Sequence, residues 1–180
     1  MAEIRTELPG GYISFEKKKV DDIFPLVFKA RLPIEIPVEE IWEQLDFAFS
    51  GRENPWFWPS QYSRSKAVAG PLKSGGQIRT TYFFPSQKDP SSPPKESTYT
   101  YDMLRWEPDI FTLQYHTGDD HPFNGGATVS LEPISPNTCV LHWDGLYKMT
   151  LSMDKIADHF GWYFPEFITE LKKFAEERKK

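Results

Sequence analysis

The sequence predicts an α+β fold in which an antiparallel sheet of seven strands surrounds a long C-terminal helix. The helix is predicted because apolar residues between Met153 and Ala175 recur at steps of three and four, which places them on one helical face. The sheet is predicted because most of the chain between residues 64 and 149 alternates apolar and polar residues. Short separators rich in Gly, Pro and Asn join these alternating segments, and such connections make neighbouring strands antiparallel.

The N-terminal third of the chain is predicted to hold an arm, one strand and a short helix. We assign residues 1–22 to the arm, with one short strand from Tyr12 to Phe15, and residues 23–180 to a single domain. The first strand of the domain runs from Phe24 to Ile34. Pro37 then opens a helix, Gly51 ends it, and its apolar face carries Val38, Ile41, Trp42, Leu45 and Phe49. The Pro-bounded stretch 54–59 predicts a loop or a single turn whose rings face inward.

Six further strands follow, predicted at Arg64–Ala69, Gln77–Phe84, Ser97–Trp106, Ile110–Thr117, Ala127–Glu132 and Thr138–Met149. Their alternation puts one set of residues on a packed face: Tyr82, Phe84, Tyr99, Tyr101, Phe111, Leu113, Tyr115, Val129, Leu131, Trp143 and Tyr147. The segment Pro85 to Pro94 interrupts this series and predicts a solvated, mobile loop.

The C-terminal helix is long enough to cross the domain. From Ser152 to Arg178 it would measure about 40 Å. A compact chain of 180 residues has an expected diameter of about 40 Å. Pro165 predicts a kink, because Gly161, which precedes it by one turn, has no side chain to add to the crowding. A concave sheet around the mostly aromatic face of this helix is therefore expected.

Composition limits the classes of function. The single cysteine, Cys139, excludes an internal disulfide and any metal site built from several cysteines. The net charge of −5 disfavours nucleic acid as a partner. The sequence begins with no apolar run and contains no stretch of membrane-span length, so a cytoplasmic protein without a transmembrane segment is expected. The 16% aromatic content, with six Trp, favours a cavity lined by rings.

The order of elements resembles the START-like superfamily, also called the helix-grip fold. Local matches are the segments at residues 37–42, 56–59, 125–129 and 132–133, and Asn137-Thr138 followed by Trp143 and Tyr147. This superfamily includes lipid-transfer domains, plant pathogenesis-related pocket proteins and polyketide cyclase/dehydrase-like proteins. The resemblance implies a strongly curved seven-stranded sheet that grips the last helix, two short helices after the first strand, and a cavity between sheet and helix. The Pro85–Pro94 insertion and the N-terminal arm depart from the compact members.

We therefore predict binding of a small hydrophobic molecule, aromatic or polyketide-like, without a cofactor or a metal. The residues expected to line its site are Trp56, Trp58, Tyr82, Tyr99, Tyr101, Phe111, Tyr115, Trp143, Tyr147, Phe160, Tyr163 and Phe164. A tyrosine offers an apolar ring and one hydroxyl that needs a hydrogen-bond partner when buried. The competing interpretation is that these rings only fill the core.

The alternative function is a cyclase or dehydratase that uses acid–base chemistry and oxyanion stabilisation. Its candidate catalytic residues are Tyr99, Tyr147 and His159, which lies one turn before Tyr163. The cluster of His116, Asp119, Asp120 and His121 has the residue types of a metal site, but its spacing favours a polar loop at the cavity mouth. His142 and Asp144 share a strand face that alternation places on the solvent side, which favours a solvated pair over an acid–base pair.

Overall fold

The computed structural model describes residues 3–17, 26–48, 63–69, 74–84, 91–93, 95–121 and 123–149, with eight further residues between 161 and 176. In these residues one antiparallel sheet has nine strands, in the spatial order β1-β2-β3-β9-β8-β7-β6-β5-β4. The strands are β1 Glu3–Leu8, β2 Gly11–Lys17, β3 Leu26–Ile34, β4 Ser63–Ala69, β5 Gln77–Phe84, β6 Lys95–Glu107, β7 Thr112–Thr117, β8 Phe123–Ser135 and β9 Thr138–Met149. The helix α1 spans Val38–Ala48, and a 3-10 turn spans Pro108–Ile110.

The N-terminal arm forms a β-hairpin that extends the sheet, so the described sheet has nine strands where seven were predicted. β1 pairs with β2 from Glu3↔Glu16 to Leu8↔Gly11, and β2 pairs with β3 from Tyr12↔Arg31 to Lys17↔Leu26. Gly10 makes the turn with φ of 76°, a backbone conformation open to glycine. One short strand was predicted in the arm, and the structure has two.

At the centre of the sheet, the early strand β3 pairs with the last strand, β9. β3 pairs with β9 from Leu26↔Tyr147 to Ile34↔Cys139, and β9 pairs in turn with β8. Each of these strands turns alternate side chains to one buried face, as in Leu26, Phe28, Ala30, Leu32 and Ile34 of β3. The predicted bounds of β5 and β9 agree with the structure, while β8 extends beyond its predicted span at both ends.

A β-bulge in β6 changes which residues reach the buried face. The register shifts between Met103, which pairs with Tyr115, and Arg105, which pairs with Gln114. The residue in the bulge, Leu104, is half exposed, whereas Met103 is fully buried. Beyond Met103, the alternation of buried and exposed side chains in β6 is therefore shifted by one residue.

The helix α1 packs its apolar face near the far end of β6. The Pro37 carbonyl accepts hydrogen bonds from the backbone N–H groups of Glu40 and Ile41, which opens the helix as predicted. The ring of Trp42 lies 5.0 Å from that of Trp106 and 6.0 Å from that of Phe111, measured between centroids. Phe111 follows the 3-10 turn with φ of 48°, in the left-handed region.

The C-terminal segment is helical at every residue that the structure describes there: Gly161, Phe164, Pro165, Ile168, Thr169, Lys172, Lys173 and Glu176. The chain is thus helical on both sides of Pro165, and the Thr169 hydroxyl donates to the Pro165 carbonyl at 2.8 Å. Most residues of the continuous helix predicted from Ser152 to Arg178 lie outside the described residues, so its continuity stays a prediction.

Other predictions also concern undescribed residues. The loop or turn predicted at residues 54–59 lies outside the described ranges. So does the Pro85–Pro94 insertion, apart from residues 91–93.

Candidate functional site

A set of rings, here called the aromatic cluster, lies on the buried face of β6, β7 and β9: Tyr99, Tyr101, Tyr115, Trp143 and Tyr147. Tyr101 and Tyr115 meet edge to face with centroids 5.5 Å apart, and Tyr115 and Trp143 do so at 6.2 Å. Trp143 then meets the fully buried Phe164 at 5.7 Å. A continuous chain of ring contacts therefore connects the sheet with the C-terminal helical segment.

Small residues at the centre of the buried face give these rings room. Gly145 pairs with Ala127 on one side and with Phe28 on the other. A Cβ at Gly145 would stand only 2.4 Å from a ring carbon of Tyr147. Because glycine occupies this position, the Tyr147 ring can lie along its own strand toward the rest of the aromatic cluster.

The Tyr115 and Tyr147 hydroxyls meet inside the protein. Their oxygens are 3.4 Å apart, a long hydrogen bond, and Tyr147 is 5% exposed. Burial raises the pKa of the Tyr147 phenol, because the phenolate would lose its hydration, while hydrogen bonds with Tyr115 and Trp143 partly oppose that increase. The Tyr147 phenol therefore stays neutral at ordinary pH and can exchange hydrogen bonds with a neutral ligand.

A second titratable group on the same face predicts weaker stability in alkali. Burial, and to a smaller extent the carboxylate of Glu39, raise the pKa of the buried Cys139 thiol from 9.0 to about 11. The unfolded chain loses the thiol proton from about pH 9, whereas the folded chain keeps it until about pH 11. The contribution of Cys139 to the free energy of unfolding, at most about 3 kcal/mol, is thus complete below pH 9 and disappears as the pH rises to 11. The raised pKa of Tyr147 acts in the same direction.

Denaturant melts between pH 8 and pH 11.5 measure this loss. The control is Cys139→Ala, which removes the thiol and should flatten the decline relative to the unmodified protein. Equal slopes for the two proteins would show that Cys139 does not titrate as described.

His121 joins the aromatic cluster from the loop between β7 and β8. Its Nε2 lies 2.9 Å from the Tyr101 hydroxyl oxygen, within hydrogen-bond distance. The imidazole also lies 4.6 Å from the Tyr99 ring and 5.3 Å from the Tyr101 ring. The imidazole of His121 and the hydroxyls of Tyr101, Tyr115 and Tyr147 are therefore polar groups on a mainly apolar face.

Hydrogen bonds fix the loop that carries His121. The Thr117 hydroxyl donates to the Gly125 carbonyl and accepts from the Gly125 N–H, both at 2.9 Å. The Gly118 N–H donates to the Thr100 carbonyl at 3.0 Å, and the His121 N–H donates to the Gly118 carbonyl at 3.1 Å. These bonds tie the loop to β6 and β8, so the imidazole position follows from the fold of the sheet.

The structure brings together six of the twelve predicted lining residues. Five lie on the sheet, Tyr99, Tyr101, Tyr115, Trp143 and Tyr147, and the sixth is Phe164 of the C-terminal segment. Phe111 packs against the same core and meets Trp42 of α1 with ring centroids 6.0 Å apart, and its place in the site stays a prediction. The candidates Trp56, Trp58, Phe160 and Tyr163, the side chain of Tyr82, and the catalytic candidate His159 lie outside the described residues. For all of them the assignment stays a prediction.

Sequence reasoning missed the contact between His121 and Tyr101. His121 was assigned to a polar loop, as a group with His116, Asp119 and Asp120, and loop residues carry no periodicity that would reveal their direction. The useful observation was that His121 lies only four residues beyond Thr117, the end of β7. A connection that short keeps its residues near the strand ends.

Polar pairs occupy the opposite face of the sheet. His142 contacts Glu132 through Nε2 and Oε2 at 2.9 Å, and Arg31 holds both carboxylate oxygens of Asp144 at 2.7 and 2.9 Å. His142 and Asp144 thus lie on the solvent side as predicted, and each has its own partner on a neighbouring strand.

Within the described part of the chain, no three His, Cys, Asp or Glu side chains come together in a way that would hold a metal ion. Among the helical residues described, no stretch has the length and hydrophobicity that a membrane span requires.

Comparison with solved structures identifies the fold. Ara h 8.0201 superposes with a TM-score of 0.64 at 10% identity, covering 85% of this chain and 99% of the other. Protein Ms6760 from Mycobacterium smegmatis gives 0.60 at 13% identity, with 84% and 92% covered. Norcoclaurine synthase from Thalictrum flavum, in complex with dopamine and hydroxybenzaldehyde, gives 0.59 at 15% identity, with 87% and 89% covered. These proteins share the helix-grip fold, which this chain therefore has. No protein-family model and no curated protein sequence matches the chain.

Proposed function

We propose that this helix-grip chain binds a small hydrophobic molecule, aromatic or polyketide-like, between the aromatic cluster and the C-terminal helical segment. The observation that carries the proposal is the continuous chain of rings from Tyr101 through Tyr115 and Trp143 to Phe164. Binding sites for small molecules are mainly apolar and contain a few polar groups that orient the ligand. The aromatic cluster has this composition.

The hydroxyls of the cluster support a binding role over simple filling of the core. Phenylalanine at positions 101, 115 and 147 would supply nearly the same apolar volume as tyrosine. Each buried hydroxyl instead needs a hydrogen-bond partner, and its net contribution to stability is small. Tyrosines here are most useful where the hydroxyls can orient a ligand oxygen.

A cyclase or dehydratase acting on a polyketide-like substrate is the second candidate. The observation that favours it is the 2.9 Å separation between His121 Nε2 and the Tyr101 hydroxyl. An imidazole next to a phenol can move a proton to or from a bound carbonyl compound. Binding is preferred as the primary function because it requires only the ring contacts.

The first test is a fluorescence titration with 1-anilinonaphthalene-8-sulfonate and its displacement by planar polyketide or flavonoid-like compounds. We expect one saturable site on the folded protein. Tyr147→Phe should lower the affinity of an oxygen-bearing competitor about two- to tenfold, the value of one hydrogen bond. Tyr12→Phe is the matched control, because Tyr12 lies away from the aromatic cluster. The guanidinium carbon of Arg5 lies 3.7 Å from the centroid of the Tyr12 ring. The absence of a saturable site would contradict the proposal.

The same variants separate a carrier from an enzyme. In an enzyme, a tyrosine that stabilises a developing oxyanion should lose about 100-fold or more in turnover when it becomes Phe, with affinity little changed. In a carrier, only the modest change in affinity should appear.

A further inference from the structure

We propose that His121 is a positioning residue that holds the Tyr101 hydroxyl toward the ligand, so that the site selects aromatic molecules carrying a hydroxyl or carbonyl oxygen. This inference rests on the proposed binding function and names the ligand class within it. It concerns the pair formed by these two side chains, here called the Tyr101–His121 pair.

The geometry of the pair supports a role in orientation. His121 Nε2 is 2.9 Å from the Tyr101 hydroxyl oxygen, while the Tyr101 ring is 8% exposed and packs edge to face on Tyr115. A phenol hydroxyl rotates about its C–O bond, and a hydrogen bond to an imidazole restricts that rotation. A ligand oxygen then meets a hydroxyl whose orientation is already set, which lowers the entropy cost of binding.

Stability alone does not account for a polar pair in this place. Replacing both members of a buried hydrogen bond by apolar groups of similar shape is close to neutral for folding. Phe at both positions would keep the contacts of His121 with the rings of Tyr99 and Tyr101. Only the polar pair lets the site discriminate between ligands with and without an oxygen atom, because a site built to hydrogen-bond a ligand oxygen disfavours the analogue that lacks it.

The loop around His121 is fixed independently of any ligand. The bonds of Thr117 to Gly125, and of Gly118 to Thr100, connect the end of β7 and the loop to β8 and β6. The Asn124 amide additionally donates to Asp119 at 2.7 Å. The imidazole is therefore held by the protein before a ligand arrives, as orientation of Tyr101 requires.

The experiment compares two probes of nearly equal size, 2-naphthol and 2-methylnaphthalene, by competition for the fluorescent probe site on the full chain. The measured quantity is the ratio of the two dissociation constants in each variant, and comparing this ratio between variants cancels the difference in hydration between the probes. Tyr101→Phe should reduce the preference for 2-naphthol about three- to tenfold relative to the unmodified protein. His121→Phe, which keeps a ring, should reduce it by a similar factor.

The double variant and two controls complete the design. Tyr101→Phe combined with His121→Phe should reduce the preference no further than either change alone. Tyr101→Phe removes the hydroxyl and His121→Phe removes its orientation, so the two changes abolish the same interaction. His121→Gln places a polar group near the position of Nε2 and should restore much of the preference. His116→Phe should leave it unchanged, because His116 is exposed on the opposite face.

The outcomes distinguish this inference from the proposed function. If neither naphthalene derivative binds, the binding function itself is wrong. If both bind and His121→Phe weakens both equally, His121 is only structural and the inference is overturned. If both bind and the two single changes have independent, additive effects on the ratio, the two residues do not act as a pair and the inference is again overturned.

Discussion

Removal of residues 1–17 is expected to destabilise the protein by more than the loss of one core phenylalanine, which costs about 3–5 kcal/mol. The hairpin formed by β1 and β2 contributes Ile13 and Phe15 to the core, and both are essentially fully buried. The Phe15 ring lies 5.0 Å from that of Phe28, and β2 supplies the whole hydrogen-bonded neighbour of β3 on that side. A loss of this size is a large fraction of the free energy of unfolding of a typical domain.

Thermal and denaturant melts of the truncated chain test this expectation. Two point variants grade the effect: Phe15→Ala should cost about 3–5 kcal/mol, and the exposed Glu3→Ala should stay within about 0.5 kcal/mol. A truncated chain that melts cooperatively within about 1 kcal/mol of the full chain would show that the domain begins after the hairpin.

Phe164→Ala is expected to lower the free energy of unfolding by about 3–5 kcal/mol. Phe164 is fully buried, stacks on Phe28 with centroids 5.6 Å apart, and meets Trp143 edge to face. Its truncation leaves a cavity where the C-terminal helical segment contacts the sheet. Urea melts followed by Trp fluorescence provide the measurement, and Lys173→Ala, exposed on the same segment, is the control.

A second readout makes the Phe164 result informative about function. Because Phe164 ends the chain of rings, the alanine variant should also lose affinity for the fluorescent probe under conditions in which it remains folded. A stability change below about 1 kcal/mol would mean that the C-terminal segment does not pack on β3 and β9 as described.

The strands of the sheet were largely predictable because their periodicity is simple. Thr138–Met149 carries Cys139, Leu141, Trp143 and Tyr147 at alternate positions on its buried face, and its predicted bounds are those of β9. β1 was missed because the charged residues Glu3, Arg5 and Glu7 dominate a short segment, and β-propensity there is weak. Its stabilisation comes from pairing with β2, a tertiary contribution that local sequence does not display.

The tyrosines of the candidate site were predictable for the same reason: alternation puts Tyr99 and Tyr101 on one face of β6. Alternation does not reveal the partners of residues in turns and loops. Phe111 follows a 3-10 turn in a left-handed conformation and packs against the core as predicted, but its contact with Trp42 of α1 could not be read from alternation. His121 lies in a loop whose direction depends on bonds to Thr100 and Gly125, residues of two other strands.

The pairing of β3 with β9 also determines the order in which the protein can fold during synthesis. Strands β1, β2 and β3 leave the ribosome first and can pair through local contacts. The other edge of β3 stays without its hydrogen-bonded neighbour until β9 has been synthesised. Pairings between residues so distant in the chain are slow to form, because a large loop must close first. Trp143 and Tyr147 belong to β9, so a nascent chain that ends before Thr138 cannot assemble the aromatic cluster and leaves the apolar face of β3 exposed to other chains.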